Sequence, residues 1–158
     1  MRILNLDQAR TCGYSLFDNG RLVEHGAVEL GKKKDVYEKI LYQATQIIEK
    51  LANETKADIV VLEDIHLQQE GATTYKKLAM LMGSLVSLFL KNETLFDFVS
   101  PSTWRGYCGI KGRSKAEKKA NAVKHVKLKF GIDASEDEAE AICLGDYTSN
   151  NIKLSEGK

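Results

Sequence analysis

The sequence predicts an α/β domain built on a five-stranded mixed sheet, three antiparallel strands and then two parallel ones, flanked by helices. Three observations predict it. Residues 2–30 read as three short apolar strands, the second and third joined by the tight-turn signal Asp18-Asn19-Gly20. Two more apolar runs, 57–62 and 95–99, each follow a stretch of helical periodicity, and that alternation generates parallel strands. Two Ser-x-x-Glu capping boxes, at Ser114 and Ser135, then announce helices in the last third of the chain.

Taken in order, residues 2–7 carry Ile3, Leu4 and Leu6, a near-continuous apolar run of the kind a strand buried on both faces requires, interrupted by Asn5 and ended by Asp7. Residues 13–17 alternate as a second strand. Asn19-Gly20 tolerates positive φ at both central positions of a hairpin, so residues 21–30 return as a third. Val36, Ile40, Ala44, Ile47, Ile48 and Leu51 form one helical stripe. A right-handed crossover then lays the 57–62 strand parallel to the first, and its terminal Glu63-Asp64 falls beside Asp7. Residues 68–74 are polar and expected to be mobile. Residues 75–90 are apolar almost all round, with Leu78, Leu81, Met82, Leu85 and Phe89 able to face a core. Ala79, Gly83 and Ser87 form a strip of small residues, read either as a dimer contact or as part of a fully internal helix. Pro101 marks a boundary after the 95–99 strand, with Ser102 or Thr103 as cap of a short helix. The Ser114 box opens a helix to about Phe130, and the Ser135 box opens the last, to about Tyr147. Residues 1–150 therefore read as one domain, and 151–158 as a polar, frayed tail.

At 158 residues the chain can bury a proper core, and its net charge of +1 says nothing by itself about partners. The chain starts directly in a strand and no apolar run reaches the roughly 18–20 residues of a membrane span, so a cytoplasmic protein without a membrane partner is expected. Cys12, Cys108 and Cys143 are odd in number, far apart and without a Cys-x-x-Cys. That spacing argues against disulfide partners and a zinc site, leaving cysteines as small apolar fillers in a reducing compartment.

The charges are unevenly placed. The last helix opens with Asp133, Glu136, Asp137, Glu138 and Glu140. Glu138 fits the capping box, and acids at a helix N-terminus complement its dipole. A surplus remains: Asp137 and Glu140 share a face with Ala141 and Leu144, at the margin of the apolar side, while Glu136 and Glu140 form a rival pair. Just before this cluster, Arg105, Lys111, Arg113, Lys115, Lys118, Lys119, Lys124, Lys127 and Lys129 are set against only Glu117. Crowded carboxylates repel, and a hard divalent cation such as Mg²⁺ or Mn²⁺ relieves them. Two such ions about 3.5–4 Å apart hold a scissile phosphate and activate water. An acidic centre with a basic rim reads as a phosphodiesterase acting on nucleic acid.

The chain resembles the RuvC-type Holliday-junction resolvases of the ribonuclease H-like superfamily, in its phage and low-GC Gram-positive branch. The resemblance rests on Leu4-Asn-Leu-Asp7 with Gly13-Tyr14, on Ile59-Val-Val-Leu-Glu63, on Ala116-Glu-Lys118 and on Asp137-Glu-Ala-Glu140-Ala, and covers essentially the whole chain. It implies Asp7, Glu63, Asp137 and Glu140 as ligands of two Mg²⁺ (or Mn²⁺) ions, with Lys118 near the scissile phosphate. It implies a homodimer that nicks four-way DNA junctions in the cytoplasm of a bacterium or a phage-infected host, for which the small-residue strip of Ala79, Gly83 and Ser87 is the candidate contact. Lys111, Arg113, Lys115, Lys118 and Lys119 would carry the DNA, with His66 where some members place a base-unstacking aromatic residue. Glu140 departs from the usual Asp, which keeps Glu136 and Glu138 as alternatives. Other readings are a nuclease of the same fold for forks or RNA–DNA hybrids, an actin-like ATP-binding domain, which needs a second lobe and Gly-rich phosphate loops, and an inactive DNA-binding module.

Overall fold

A computed structural model describes residues 1–32, 34–66 and 71–152. Its elements run β1 Arg2–Asp7, β2 Thr11–Asp18, β3 Arg21–Glu29, α1 Tyr37–Thr55, β4 Ile59–Glu63, α2 Ala72–Lys91, β5 Leu95–Val99, α3 Pro101–Tyr107, α4 Lys115–Phe130 and α5 Glu136–Asn151. The sheet order is β3-β2-β1-β4-β5. β1 pairs antiparallel with β2 and parallel with β4, and β5 continues the parallel half. The hairpin between β2 and β3 turns through Asn19 and Gly20, both at positive φ.

β1 is the central strand, and its two faces feed two cores. Leu4 and Leu6 join Val60, Leu62, Ala44, Ile48, Leu81, Leu85 and Phe89 on the side of α1 and α2. Ile3 joins Phe17, Val61, Trp104, Val126 and Ile142 on the side of α3, α4 and α5. Asn5, the polar break in the run, is fully buried and paired: its amide donates to the carbonyls of Ile3 and Ser15, and its oxygen accepts from Thr148 Oγ1 at 2.6 Å. Ser15 Oγ donates to the Ala141 carbonyl, also at 2.6 Å. Buried polar groups unmatched in this way would destabilise the fold, so these bonds fix α5 in one register against β1 and β2.

Two glycines let α5 approach so closely. A Cβ on Gly13 would lie 2.0 Å from the Asp137 carbonyl oxygen, and one on Gly145 would lie 2.3 Å from the Phe17 ring. Gly13 is also the partner of Asp7 across the β1–β2 ladder. The close contact therefore brings the first turn of α5 directly over the end of β1.

Several expectations need correction. Ser100, not Ser102 or Thr103, caps α3, with Pro101 in its first turn. Only half of the Ser114 box forms, because Glu117 accepts from the Arg113 backbone instead; the Ser135 box is complete. α5 continues to Asn151, so the boundary at 150 falls inside its last turn, and 153–158 lie outside the described residues. The polar stretch 68–74 divides: Gln68, Gln69 and Glu70 are outside the described residues, while Ala72, Thr73 and Thr74 already belong to α2. α2 is not internal: Leu81, Leu85 and Phe89 are buried, but Gly83 and Ser87 are exposed. Among the described residues no helix is long and apolar enough to cross a membrane.

Candidate active site

The parallel pairing of Leu6 with Leu62 sets the strand ends level, so Asp7 and Glu63 are neighbours. Asp137 and Glu140 come down on them from α5. All four line one cleft of about 350 Å³, with Gln8, Arg105, Lys115, Lys118 and Lys119. Burial pushes the Asp7 carboxyl well above its ordinary range, and the charges of Glu63 and Glu140 push it further, while Lys119 opposes them. Burial likewise raises Glu63 to about 7, against the pull of Arg105 and with the help of Glu140.

The neighbours of these acids are specific. Trp104 Nε1 donates to Glu63 Oε2 at 2.7 Å. Arg105 Nη2 reaches Glu140 Oε1 at 2.9 Å. Lys119 Nζ sits 3.1 Å from Asp137 Oδ1, 3.4 Å from Glu140 Oε2 and 3.7 Å from Glu136 Oε2. Burial works against the charge on Lys119, but the bond to Asp137 and the charges of Glu140 and Asp137 prevail and keep it protonated above the usual lysine range.

The rivals within the acidic cluster separate by exposure. The Glu140 side chain is 5% exposed and Asp137 32%, against 58% for Glu136. Glu138 is committed to the capping box and to His25 Nδ1 at 3.0 Å. The extra methylene of Glu140 lets it reach Arg105 from a buried position. Trp104 is not singled out by the sequence, and Arg105 is read there only as part of the basic rim, not as the partner of Glu140; the signal for both is their place on a Pro-initiated turn directly after a strand.

The basic rim is shorter than the sequence count. Lys127 pairs with Asp133 and Lys129 with Asp146, so the far end of α4 is engaged elsewhere. Lys115, Lys118 and Lys119 line the cleft from the first turns of α4. Lys111 and Arg113 are exposed on the loop leading into that helix. His66 is half-buried after β4 and is not among the residues lining the cleft.

The donor set fits hard divalent cations. It offers four carboxylates, and Gln8 Oε1 adds a buried oxygen with no hydrogen-bond partner among the described residues. An acid whose folded pKa is raised holds its proton where the unfolded chain has lost it. Stability without metal should therefore fall as pH rises from the ordinary carboxylate range, about 4, through about 7. The expected thermal midpoint in EDTA is lower at about pH 8 than at about pH 5, and Mn²⁺ restores more of it at the higher pH. A flat midpoint across that range would remove the electrostatic strain from the cleft.

No family model matches the sequence. No curated protein matches it either. Solved structures do match. The Thermus thermophilus RuvC in complex with a Holliday junction substrate superposes with a TM-score of 0.72 at 10% identity, over 96% of this chain and 97% of that one. The yeast mitochondrial Holliday junction resolvase Ydc2 gives 0.66 at 12% identity, over 94% and 77%. The fowlpox virus resolvase, solved with its substrate junction DNA, gives 0.62 at 16% identity, over 95% and 97%. These likenesses show the fold class: an α/β domain with the five-stranded mixed sheet and flanking helices of those structures. Within that class the architecture is the one the RuvC structure has, matched along nearly the whole of both chains.

Proposed function

We propose that this protein is a structure-selective endonuclease that nicks branched DNA, four-way junctions foremost, by metal-assisted phosphodiester hydrolysis. The observation that carries the reading is the convergence of Asp7, Glu63, Asp137 and Glu140, from β1, β4 and α5, in one cleft edged by lysines. It stands on a fold shared with three resolvase structures, two of them holding junction DNA.

The four carboxylates would hold a pair of divalent ions, Mg²⁺ or Mn²⁺. Such ions supply Lewis-acid charge to the phosphate, lower the pKa of water and stabilise the leaving oxygen. The protein's own groups do the rest. Asp7 and Glu63 give up protons on loading, so their raised pKa values make loading pH-dependent. Trp104 and Arg105 hold the Glu63 and Glu140 carboxylates, which keeps both side chains in one orientation. Lys119 neutralises Asp137 and Glu140 before loading. Lys115 and Lys118 on the wall of the cleft, and Lys111 and Arg113 on the loop beyond, bind the phosphate backbone. Charge removal at Lys118 is expected to weaken junction binding and reduce the slope of log K against log[salt] by about 1; an unchanged slope would put the DNA elsewhere.

The working unit is a homodimer, so that two clefts meet two strands of one junction. The exposed strip of Gly83 and Ser87 on α2 is the contact, beside Ala79 and flanked by Tyr42 and Met80, which are 65% and 40% exposed. Among the described residues nothing lies within 4 Å of a Cβ built at Gly83, and the position is exposed, so Gly83→Leu should place its side chain on the surface of one chain. Sedimentation should show that variant as monomer; an unaltered dimer would move the interface.

The deciding experiment is a panel of four-way junction, flap, fork, linear duplex and RNA–DNA hybrid with Mg²⁺ and with Mn²⁺. The expected result is paired nicks near the crossover of the junction. Preferred cutting of the hybrid would assign the same cleft to a different substrate.

A further inference from the structure

We propose that Cys108, His125, Cys143 and Asp146 form a second metal site, of the thiolate–imidazole type that takes Zn²⁺, behind the acidic cleft and distinct from it. The sequence argues against zinc because its cysteines lack any local spacing. The fold supplies the convergence instead: Cys108 ends α3, His125 is on α4, and Cys143 and Asp146 lie a turn apart on α5.

One ligand atom from each of Cys108, His125 and Cys143 lies within 4.8 Å of the other two. Tetrahedral zinc, with bonds of about 2.3 Å to sulfur and 2.0 Å to nitrogen, places neighbouring donors about 3.5–3.8 Å apart. The three side chains need only small adjustments to close on an ion. The fourth donor is the Asp146 carboxylate, 3% exposed, whose Oδ2 stands 3.5 Å from His125 Nε2 and 4.0 Å from Cys108 Sγ.

Two further features point to a ligand rather than to simple packing. Among the described residues, His125 Nε2 is buried and makes no hydrogen bond beyond the 3.5 Å approach of Asp146 Oδ2, an arrangement that costs free energy unless something binds there. Lys129 Nζ holds both oxygens of Asp146, at 2.6 and 2.8 Å. Two thiolates, one carboxylate and Zn²⁺ sum to one negative charge, which the Lys129 ammonium balances. On binding, the Cys108 and Cys143 thiols each release a proton to solvent, and four coordinate bonds form with no change of oxidation state. Soft sulfur with imidazole selects zinc over the Mg²⁺ that an all-oxygen site takes.

The site would act as a staple. It ties the end of α3 to α5, one turn beyond Glu140, and Arg105 on α3 is the residue that grips Glu140. A filled site therefore holds the back of the acidic cleft in place without touching the reaction.

The test uses the full chain. Metal analysis of protein purified without chelator should find about one zinc per chain. Chelator-stripped protein titrated with Co²⁺ should develop a thiolate-to-cobalt charge-transfer band, which an all-oxygen site cannot produce. Excess Mg²⁺ and the Asp7→Asn change should leave that band intact. Cys12→Ser should also keep it, whereas His125→Ala and Cys108→Ser should lose it or weaken Co²⁺ binding at least tenfold, with far-UV circular dichroism reporting whether each has folded. The wild-type spectrum decides the matter even where a variant does not fold. Absence of the band would overturn the proposal, as would its persistence in His125→Ala. A purified chain two hydrogens light, carrying a Cys108–Cys143 disulfide and no metal, would overturn it too.

Discussion

Replacing Asp7 with asparagine is expected to cut Mg²⁺-dependent nicking of a four-way junction by on the order of 10³-fold or more. Partners that merely orient a ligand are worth about 10–100-fold in metal affinity or activity, and a ligand itself is worth more. The change keeps the shape of the side chain and removes one charge from a cluster in which charge is the difficulty. The folded variant should be at least as stable as wild type without metal, because burial and the charges of Glu63 and Glu140 disfavour the ionised form of Asp7. Junction binding in Ca²⁺ should survive, since the phosphate contacts we propose lie on α4 and its leading loop. A variant that binds and cuts like wild type, or wild-type cutting in EDTA, would end the metal mechanism. Loss of binding together with cutting would instead mean that Asp7 supports the DNA surface.

The second large effect comes from Gly13→Ala, a residue that carries no chemistry. Its Cβ would stand 2.0 Å from the Asp137 carbonyl oxygen and 2.5 Å from the carbonyl carbon, so backbone must move. Overpacking of this kind destabilises by about 1–3 kcal/mol. The displaced part is the first turn of α5, which carries Asp137 and precedes Glu140. A ligand set held about 1 Å out of place can lose on the order of 10²-fold in rate. Junction cleavage should therefore fall by that amount even in the fraction that is folded, with a lower thermal midpoint beside it. Full activity at unchanged midpoint would show that α5 does not depend on this contact. The Gly13-Tyr14 element of the resemblance thereby gains a physical reason: helix backbone lies directly on the strand where Asp7 ends.

Much of this arrangement could be read from the chain because it is written in local periodicity. The apolar residues of β1 reach both cores, β5 occupies the residues expected of it, and the Ser135 box forms with both of its bonds. The two strand-terminal acids meet because parallel pairing after one crossover leaves little choice. Preferring Asp137 and Glu140 over Glu136 and Glu138 followed from the apolar face of the helix; exposure separates Glu140 from Glu136, whereas Glu138 is set apart by its capping-box bonds.

What stayed hidden depends on contacts between distant residues. Trp104 to Glu63 and Arg105 to Glu140 span 41 and 35 positions, and nothing in either neighbourhood signals the other. Lys127 and Lys129 looked like rim because charge was counted along the chain, whereas the fold turns them toward Asp133 and Asp146. The Ser100 cap was legible in principle, since proline belongs in the first turn of a helix and the cap precedes it. Cys108 and Cys143 carry no recognisable metal spacing, because the groups that could share an ion come from three different helices.

The most direct measurement of whether the distant acids act as one ion-holding group is Mn²⁺ binding near neutral pH by calorimetry, with proton release followed in buffers of different ionisation enthalpy. The wild-type chain should bind with uptake coupled to loss of protons from Asp7 and Glu63, and Asp7→Asn, Glu63→Gln and Glu140→Gln should each weaken the same binding event. Binding that ignores any one of these three substitutions, or that releases no protons, would mean that residues 7, 63 and 140 share a cleft without sharing a metal.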